Sequence, residues 1–106
     1  MLFLVISTPR PERPYEWAAA RRKSWDWWEP LEKKGVVKWY YARAGRGAVA
    51  LFDVESHEHL HELLNGWSEL IPVTLDVYPL IDIAASKRFL ASQIAPETAS
   101  ATRKQR

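Results

Sequence analysis

The alternation of apolar and polar residues predicts a β-hairpin near the middle of the chain. Residues 36–43 and 48–54 are apolar runs of strand length, rich in the β-branched and aromatic side chains that favour a pleated sheet. The sequence Ala44-Gly45-Arg46-Gly47 separates the two runs. Its glycines can adopt a positive φ without a Cβ clash, so this segment is the natural turn of the hairpin.

The first strand of the hairpin has two different faces, because side chains alternate along a strand. One face aligns an arginine with two aromatic rings and a valine: Val37, Trp39, Tyr41 and Arg43. Arg43 is then either a rim residue whose stem covers apolar surface or an anion-binding group at the mouth of a pocket. The strand pattern leaves both interpretations open.

A short strand and a long helix precede the hairpin. Residues 1–8 are apolar and lead into residues 9–14, a loop whose prolines prevent regular pairing and which is a candidate flap over a site. Residues 15–34 have apolar positions at helical spacing, and Trp28 lies on the resulting stripe. The apolar arc is wide, which indicates that the helix buries more than one side. Pro30 should kink this helix or split it in two.

A second helix and a last strand follow the hairpin. Ser56 is a suitable N-cap for a helix over residues 57–70. Residues 73–80 alternate as a half-buried strand does. This alternation places Asp76 and Tyr78 together on one face and apolar side chains on the other.

The resulting order is β-α-β-β-α-β with an extra C-terminal helix over residues 82–93. It predicts an α+β, ferredoxin-like fold: a four-stranded antiparallel sheet with both helices on one face. We expect one domain over residues 1–95 and a disordered basic tail over residues 96–106. Both sheet faces are partly apolar and the chain has 6 tryptophans, so we expect a homo-oligomer, at least a dimer, that covers the second face.

Composition and charge narrow the class of function. The net charge is +2 and the charges outside the tail are mixed in sign, so we expect no nucleic-acid partner. The apolar opening is too short for a signal h-region or a membrane span, so we expect no membrane partner. Cysteine is absent, which excludes a thiolate nucleophile and fits a cytoplasmic location.

Residues 57–61 spell H-E-x-x-H, the pattern of zinc metalloproteases. We discount a zinc site, because the motif lies on the first turn of its helix and no third ligand follows. The prediction is therefore that the chain has no metal ligands. His61 borders the core face of its helix and is either a structural hydrogen-bonding residue or an acid–base group, since imidazole titrates near neutrality.

Asp76 is the carboxylate with the most unusual position, in the middle of an apolar strand. If its face is buried, the charge must be paired or the pKa raised by desolvation, and either case makes it a candidate general base. The alternatives are a structural salt bridge, for example with Arg43, or a side chain that points to solvent. Tyr78 shares the face of Asp76 and could donate a hydrogen bond to a bound oxygen.

Several segments together resemble the muconolactone isomerase family. They are the opening MLFLV, the ARAG turn, FDV at residues 52–54, the pattern Ser56-x-x-x-Leu60-His61-x-x-Leu64 and the strand LDVYPL. The resemblance implies a ferredoxin-like α+β barrel that assembles through its sheets as a dimer and uses no cofactor. It also implies a proton shift that moves a double bond in a small lactone. Asp76 falls where the family has an acidic residue, and His61 matches the family's helix histidine.

The resemblance and the tryptophan content lead to a prediction of function. We expect a cofactor-free isomerase or cyclase for a lactone or a flat, aromatic polyketide-like molecule, with Asp76 and His61 as catalytic groups. A cofactor-independent monooxygenase of the same barrel type and a non-catalytic dimeric binding module are the alternatives. The substrate-binding residues that we predict are Arg43, Tyr41, Tyr78, Trp39 and Trp28.

Overall fold

The computed structural model describes residues 1–10 and 17–99, and within them the side chains of residues 1–10 and 17–94. Their secondary structure has the predicted order, including the extra C-terminal helix. The elements are β1 (Leu2–Pro9), α1 (Ala18–Lys33), β2 (Val37–Ala42), β3 (Ala48–Asp53), α2 (His57–Leu70), β4 (Val73–Leu80) and α3 (Ile83–Ala99).

The strands form one antiparallel sheet in the order β2-β3-β1-β4. Val5 in the central strand β1 pairs with Ala50 of β3 and with Val77 of β4, so these residues share one face of the sheet. Helices α1 and α2 pack on that face, which we call the covered face; the opposite face is the open face. This arrangement confirms the predicted ferredoxin-like α+β fold.

Aromatic rings fill the space between the covered face and the two helices. The Trp28 indole of α1 stacks on Tyr40 with a centroid distance of 4.7 Å and an interplanar angle of 15°. It also meets Trp67 of α2 edge-on at 4.7 Å and lies 6.0 Å from Phe52 of β3. Since buried aromatic side chains contribute large apolar areas, Trp28 joins the sheet and both helices into one core.

The wide apolar arc of α1 contacts α2 through a second tryptophan. The Trp27 indole packs against Gly66, where an added Cβ would lie only 3.2 Å from Trp27 Nε1. Glycine at this position therefore allows the close approach of the two helices. By contrast, Trp25 on the same helix keeps 58% of its surface exposed.

Two local predictions need correction. Helix α1 is continuous from Ala18 to Lys33, so the alternative that Pro30 splits the helix is wrong, whereas a kink there stays a prediction. The proline removes one helical hydrogen bond, and the burial of Trp28 just before it holds the helix on the sheet. A register shift between Val37 and Trp39 places Val37 on the covered face, at 1% exposure, instead of on the face of Trp39.

Helix α3 differs from the other helices because it makes none of their extensive contacts to the sheet. Its apolar side chains are exposed, including Phe89 at 66%. The helix continues to Ala99, into the range predicted to be a disordered tail. The rest of that tail, residues 100–106, lies outside the described residues, as do residues 11–16 of the predicted flap and the predicted helix start. No helix in the described ranges is long and apolar enough to cross a membrane.

Candidate functional site

The turn between β2 and β3 lies directly on the end of β1. Gly45 and Gly47 have φ values of 96° and 102°, a region that residues with a Cβ rarely adopt. A Cβ added to Gly47 would lie 2.5 Å from the main-chain oxygen of Ser7. The backbone of the turn can approach β1 this closely only because the residue is glycine.

Arg43 enters the turn from the end of β2 and reaches across to β1. Its Nη1 donates to the main-chain oxygen of Ser7 at 2.9 Å and to Thr8 Oγ1 at 3.3 Å. Its main-chain nitrogen donates to the oxygen of Gly47 at 2.9 Å. These contacts fix the position of the guanidinium, which has five N–H donors and uses one nitrogen here.

A cavity of about 440 Å³ lies between α1, this turn and the ends of β1 and β4. Its volume falls within the range of small-molecule sites. The aromatic residues that line it are Trp17, Trp25, Trp28, Tyr40, Tyr41 and Trp67. The charged residues that line it are Arg21, Arg22, Arg43 and Arg46, and no carboxylate is found among its described lining residues.

One side of α1 supplies the helical wall of the cavity. Ala18, Arg21, Arg22 and Trp25 all line it, at the spacings of three and four residues that place side chains on one face of a helix. The helix is held in this orientation by the burial of Trp28 one turn further on. The arginines of α1 and those of the hairpin turn therefore line the same cavity.

The serines that line the cavity already have hydrogen-bonding partners. Ser7 Oγ accepts from the main-chain nitrogen of Ala48 at 2.9 Å and donates to its oxygen at 3.3 Å. Ser24 Oγ donates to the main-chain oxygen of Arg21 at 2.6 Å. Both serines are buried. Their side chains form part of the cavity wall and hydrogen-bond to main-chain groups, as buried polar groups usually do.

Tyr40 provides the phenol closest to the core side of the cavity. Its ring stacks on Trp28. Desolvation raises the pKa of the Tyr40 phenol above its ordinary value, and the negative charges of Glu32 and Glu29 raise it further. The phenol therefore stays protonated at neutral pH and can donate a hydrogen bond to an oxygen atom of a ligand.

The predicted site residues fall into two groups. Trp28, Tyr41 and Arg43 line the cavity, although Tyr41 pairs with Val49 and therefore belongs to the open face of the edge strand β2. Trp39 lies on the open face, since it pairs with Leu51. Trp28 was expected from its apolar stripe and Arg43 from its strand position, and the structure brings both to one cavity.

Asp76 and Tyr78 lie on the open face of β4, where Asp76 pairs with Ile6. Asp76 is exposed, and the cavity lies on the other side of the sheet. His61 is exposed on α2, where the Asn65 side chain donates to its main-chain oxygen at 2.8 Å. The structure therefore does not bring Asp76 and His61 together, and their catalytic roles stay predictions.

The histidine motif on α2 does not gather a metal site in the described structure. Within residues 1–10 and 17–99, no three His, Asp or Glu side chains are close enough to hold an ion. The His57 ring instead packs edge-on against Phe3, with a centroid distance of 5.7 Å. These contacts give the first turn of α2 a packing role.

Sequence reasoning missed Arg21, Arg22, Trp25, Tyr40 and Trp67 as cavity residues. One signal was available, because an arginine in the apolar stripe of α1, Arg21, is an unusual residue on a core-facing side. Periodicity alone could not show that the hairpin turn, which lies far away along the chain, closes the same space.

Comparison with solved structures shows a similar fold. The 5-chloro-2-hydroxyhydroquinone dehydrochlorinase (TftG) from Burkholderia phenoliruptrix AC1100, in complex with 2,5-dihydroxybenzoquinone, superposes with a TM-score of 0.63. The two sequences are 18% identical, and the match covers 76% of this chain and 94% of that chain. At this identity the likeness establishes the fold alone.

Comparison with curated proteins gives no match. A family model described as a domain of unknown function (DUF3303) matches residues 1–94, which is most of the chain. The chain therefore belongs to the DUF3303 family.

Proposed function

We propose that the chain is a small-molecule enzyme that works without a cofactor and that its active site is the cavity beside α1. The observation that carries this proposal is the cavity itself, about 440 Å³ in volume, with aromatic walls and arginines from two elements. Apolar pockets with a few convergent polar groups are the usual form of such sites. The resemblance to muconolactone isomerase points to the same class.

The walls of the cavity suit a flat, unsaturated molecule. Indole and phenol rings from α1, α2 and β2 surround the space, and offset or edge-on packing of a ligand ring against them is favourable. The structurally similar dehydrochlorinase was solved with 2,5-dihydroxybenzoquinone, a flat ring with oxygen substituents. A lactone or an aromatic ring with carbonyl and hydroxyl groups is therefore the substrate class that we propose.

The reaction that these groups support is a proton transfer next to a carbonyl. Removal of such a proton places negative charge on the carbonyl oxygen, and fixed donors at that oxygen are usually the largest catalytic contribution. Arg43 is held in place by β1, and Tyr40 carries a protonated phenol, so both can serve as these donors. The described lining of the cavity offers no carboxylate or imidazole as a base, so in this proposal a basic oxygen of the substrate or a bound water accepts the proton and returns it to the neighbouring carbon.

We further propose that the enzyme is a homodimer formed through the open faces of two sheets. The open face carries Leu4 and Leu51 on its central strands, and Trp39 and Tyr41 beside them are 37% and 66% exposed. An antiparallel sheet that faces water normally carries polar residues on that side. A second copy would also cover Asp76, which is the condition under which its predicted role as a base could be tested.

A cavity-filling substitution tests the proposal. Ala18→Trp places a large side chain in the cavity, whereas Ala19→Trp adds the same side chain to an exposed neighbour that does not line it. We expect Ala18→Trp to weaken binding of 2,5-dihydroxybenzoquinone at least about tenfold, and Ala19→Trp to leave binding unchanged. Isothermal titration calorimetry measures both. Equal binding by the two variants would place the ligand elsewhere.

A non-catalytic binding module is a second candidate, and one observation favours it. The described lining of the cavity contains neither a carboxylate nor an imidazole, the usual groups for proton transfer. Exchange of carbon-bound hydrogen of a hydroxyquinone or an unsaturated lactone in deuterated water, followed by NMR, separates the two candidates. Accelerated exchange that Ala18→Trp abolishes supports the enzyme, whereas tight binding without exchange supports the module.

A further inference from the structure

We infer that the ligand of this cavity is a planar aromatic anion, and that its negative group lies between the arginines of α1 and the arginine of the hairpin turn. The inference rests on the cavity being the functional site proposed above. It adds the charge of the ligand and the residues that select it, neither of which follows from the fold.

The arginines of the cavity come from two separate elements. Arg21 and Arg22 belong to α1, and Arg43 begins the hairpin turn directly after β2, yet all of them line one cavity. No carboxylate of the described residues pairs with Arg21 or Arg22. The partners of the Arg43 guanidinium are neutral oxygens of Ser7 and Thr8. Within the described residues, the charges of Arg21, Arg22 and Arg43 are therefore not neutralised by an ion pair.

Elsewhere on the same sheet, positively charged groups lie next to a carboxylate, which is the ordinary arrangement of surface charge. Lys38 lies 3.5 Å from a carboxylate oxygen of Asp53, and the amino group of Met1 lies 3.3 Å from the other oxygen. These cations therefore have an acidic neighbour, as mixed surface charge usually provides. The cavity lacks this compensation in its described lining, so the accumulation of arginine there is a local feature of the site.

Electrostatics then favours a negatively charged occupant. Arg21, Arg22 and Arg43 are exposed, so water moderates the repulsion between their like charges without removing it. An anion relieves this repulsion and gains charge-assisted hydrogen bonds, which are about twice as strong as neutral ones. Clefts lined by one sign of charge also concentrate ligands of the opposite sign.

The aromatic walls indicate that the rest of the ligand is a flat ring. Trp25, Trp28 and Trp67 offer ring faces and edges, and guanidinium groups stack on planar π systems as well as binding carboxylate oxygens side by side. A small inorganic anion would leave these apolar walls unoccupied. An aromatic carboxylate, or a ring hydroxyl acidic enough to be ionised at neutral pH, fills both parts of the site.

A matched pair of probes tests the charge of the ligand. We propose to measure binding of 2-naphthoate and 2-naphthamide, which have the same shape and differ in charge, by calorimetry on the full chain. We expect the anion to bind about tenfold to a hundredfold more tightly than the amide. Added salt should weaken binding of the anion and leave binding of the amide nearly unchanged, because only the charged interaction is screened.

A matched pair of variants tests the residues. Arg21→Gln/Arg22→Gln removes the two arginines of α1, and Lys23→Gln/Lys33→Gln removes the same charge from positions of α1 that do not line the cavity. We expect the first variant to lose the preference for the anion, with at least about tenfold weaker naphthoate binding. The second variant should keep that preference, because its substitutions lie outside the site.

The possible results separate this inference from the proposed function. If both probes bind with equal affinity and Ala18→Trp weakens both, the cavity is the site and the preference for anions is refuted. If neither probe binds, the inference and the proposed active site fail together. If both glutamine variants lose naphthoate binding to the same extent, the selectivity comes from the overall charge of the chain and not from the cavity.

Discussion

The two faces of the sheet differ in what covers them. On the covered face, Val5, Ala50 and Phe52 have no solvent exposure, because α1 and α2 pack over them. On the open face of the same strands, Leu4 and Leu51 are only half-buried, and they are covered by neighbouring side chains alone. Both faces nevertheless carry apolar residues at the central strands.

This difference separates two roles of apolar surface. The covered face already gains the free energy of burial within one chain, and it positions α1 over the cavity. The open face would gain that free energy only in contact with another surface, and contiguous exposed apolar patches commonly mark such contacts. The comparison therefore predicts that substitutions on the covered face affect folding, whereas those on the open face affect assembly.

The largest expected effect is on the covered face. Trp28→Ala removes the ring that contacts Tyr40, Phe52 and Trp67, and should lower the free energy of unfolding by about 3–5 kcal/mol. Trp25→Ala on the same helix removes a mostly exposed ring and should cost less than about 1 kcal/mol. Urea unfolding at constant m-value compares the two variants. Similar losses for both would show that Trp28 is not the centre of the core.

A smaller effect is expected for assembly through the open face. Trp39→Lys introduces a charge at the open face and should weaken self-association by about 2 kcal/mol or more, because a large aromatic residue is lost from the proposed contact. The unfolding free energy of the separated chain should change by about 1 kcal/mol or less. Sedimentation velocity over a range of concentrations measures the association.

The matched control for this variant is Trp25→Lys. It makes the same substitution at an exposed tryptophan that lies at the cavity instead of on the open face. This variant should keep the oligomeric state and bind ligand more weakly. A chain that remains a monomer before any substitution would show that the open face is not an interface between copies.

The turn that closes the cavity gives a third test, with an effect of about 1–3 kcal/mol. Gly47→Ala and Gly45→Ala both place a Cβ at a positive φ, which costs about 1–2 kcal/mol for an ordinary residue. Only the Cβ at position 47 would also collide with the Ser7 main-chain oxygen, so this variant should be the less stable. Thermal unfolding of the two variants isolates the contact between the turn and β1.

Many of the helices and strands that form the two faces could be predicted from the sequence. The bounds of α2 and β4 are those that the N-cap Ser56 and the strand alternation indicated, because both signals are local. The register shift beside Trp39 was missed, since a bulge changes which face a residue occupies without changing its apolar character. Val37 therefore belongs to the core although the simple alternation placed it with Trp39.

The candidate site was harder to predict than the fold. Asp76 was predicted as a site residue because a carboxylate in an apolar strand is unusual. The alternation of side chains could not show which face the helices cover, and Asp76 lies on the other one. The cavity depends on the tertiary contact of α1 with the hairpin turn, and no spacing in the sequence relates Arg21 to Arg43. Only the fold shows that their guanidinium groups share one space.

The smallest expected effect concerns two adjacent tyrosines that lie on different faces. Tyr40 stacks on Trp28 beneath the helices, and its pKa is raised by desolvation and by the charges of Glu32 and Glu29. A raised pKa means that the folded chain binds the phenolic proton more tightly than the unfolded chain does. The resulting contribution to stability is complete below the ordinary value of 10.0 and is lost as the pH rises through the pKa of the folded state.

Ultraviolet titration of tyrosinate, compared with unfolding at the same pH values, checks this prediction. Tyr40→Phe should remove the late phase of the titration and the associated decline in stability above pH 10.0. Tyr41→Phe, which removes the adjacent and mostly exposed hydroxyl, should leave that late phase in place. If the late phase is instead lost in Tyr41→Phe and kept in Tyr40→Phe, the covered phenol is not the one that titrates late, and the two faces do not differ in how they solvate neighbouring side chains.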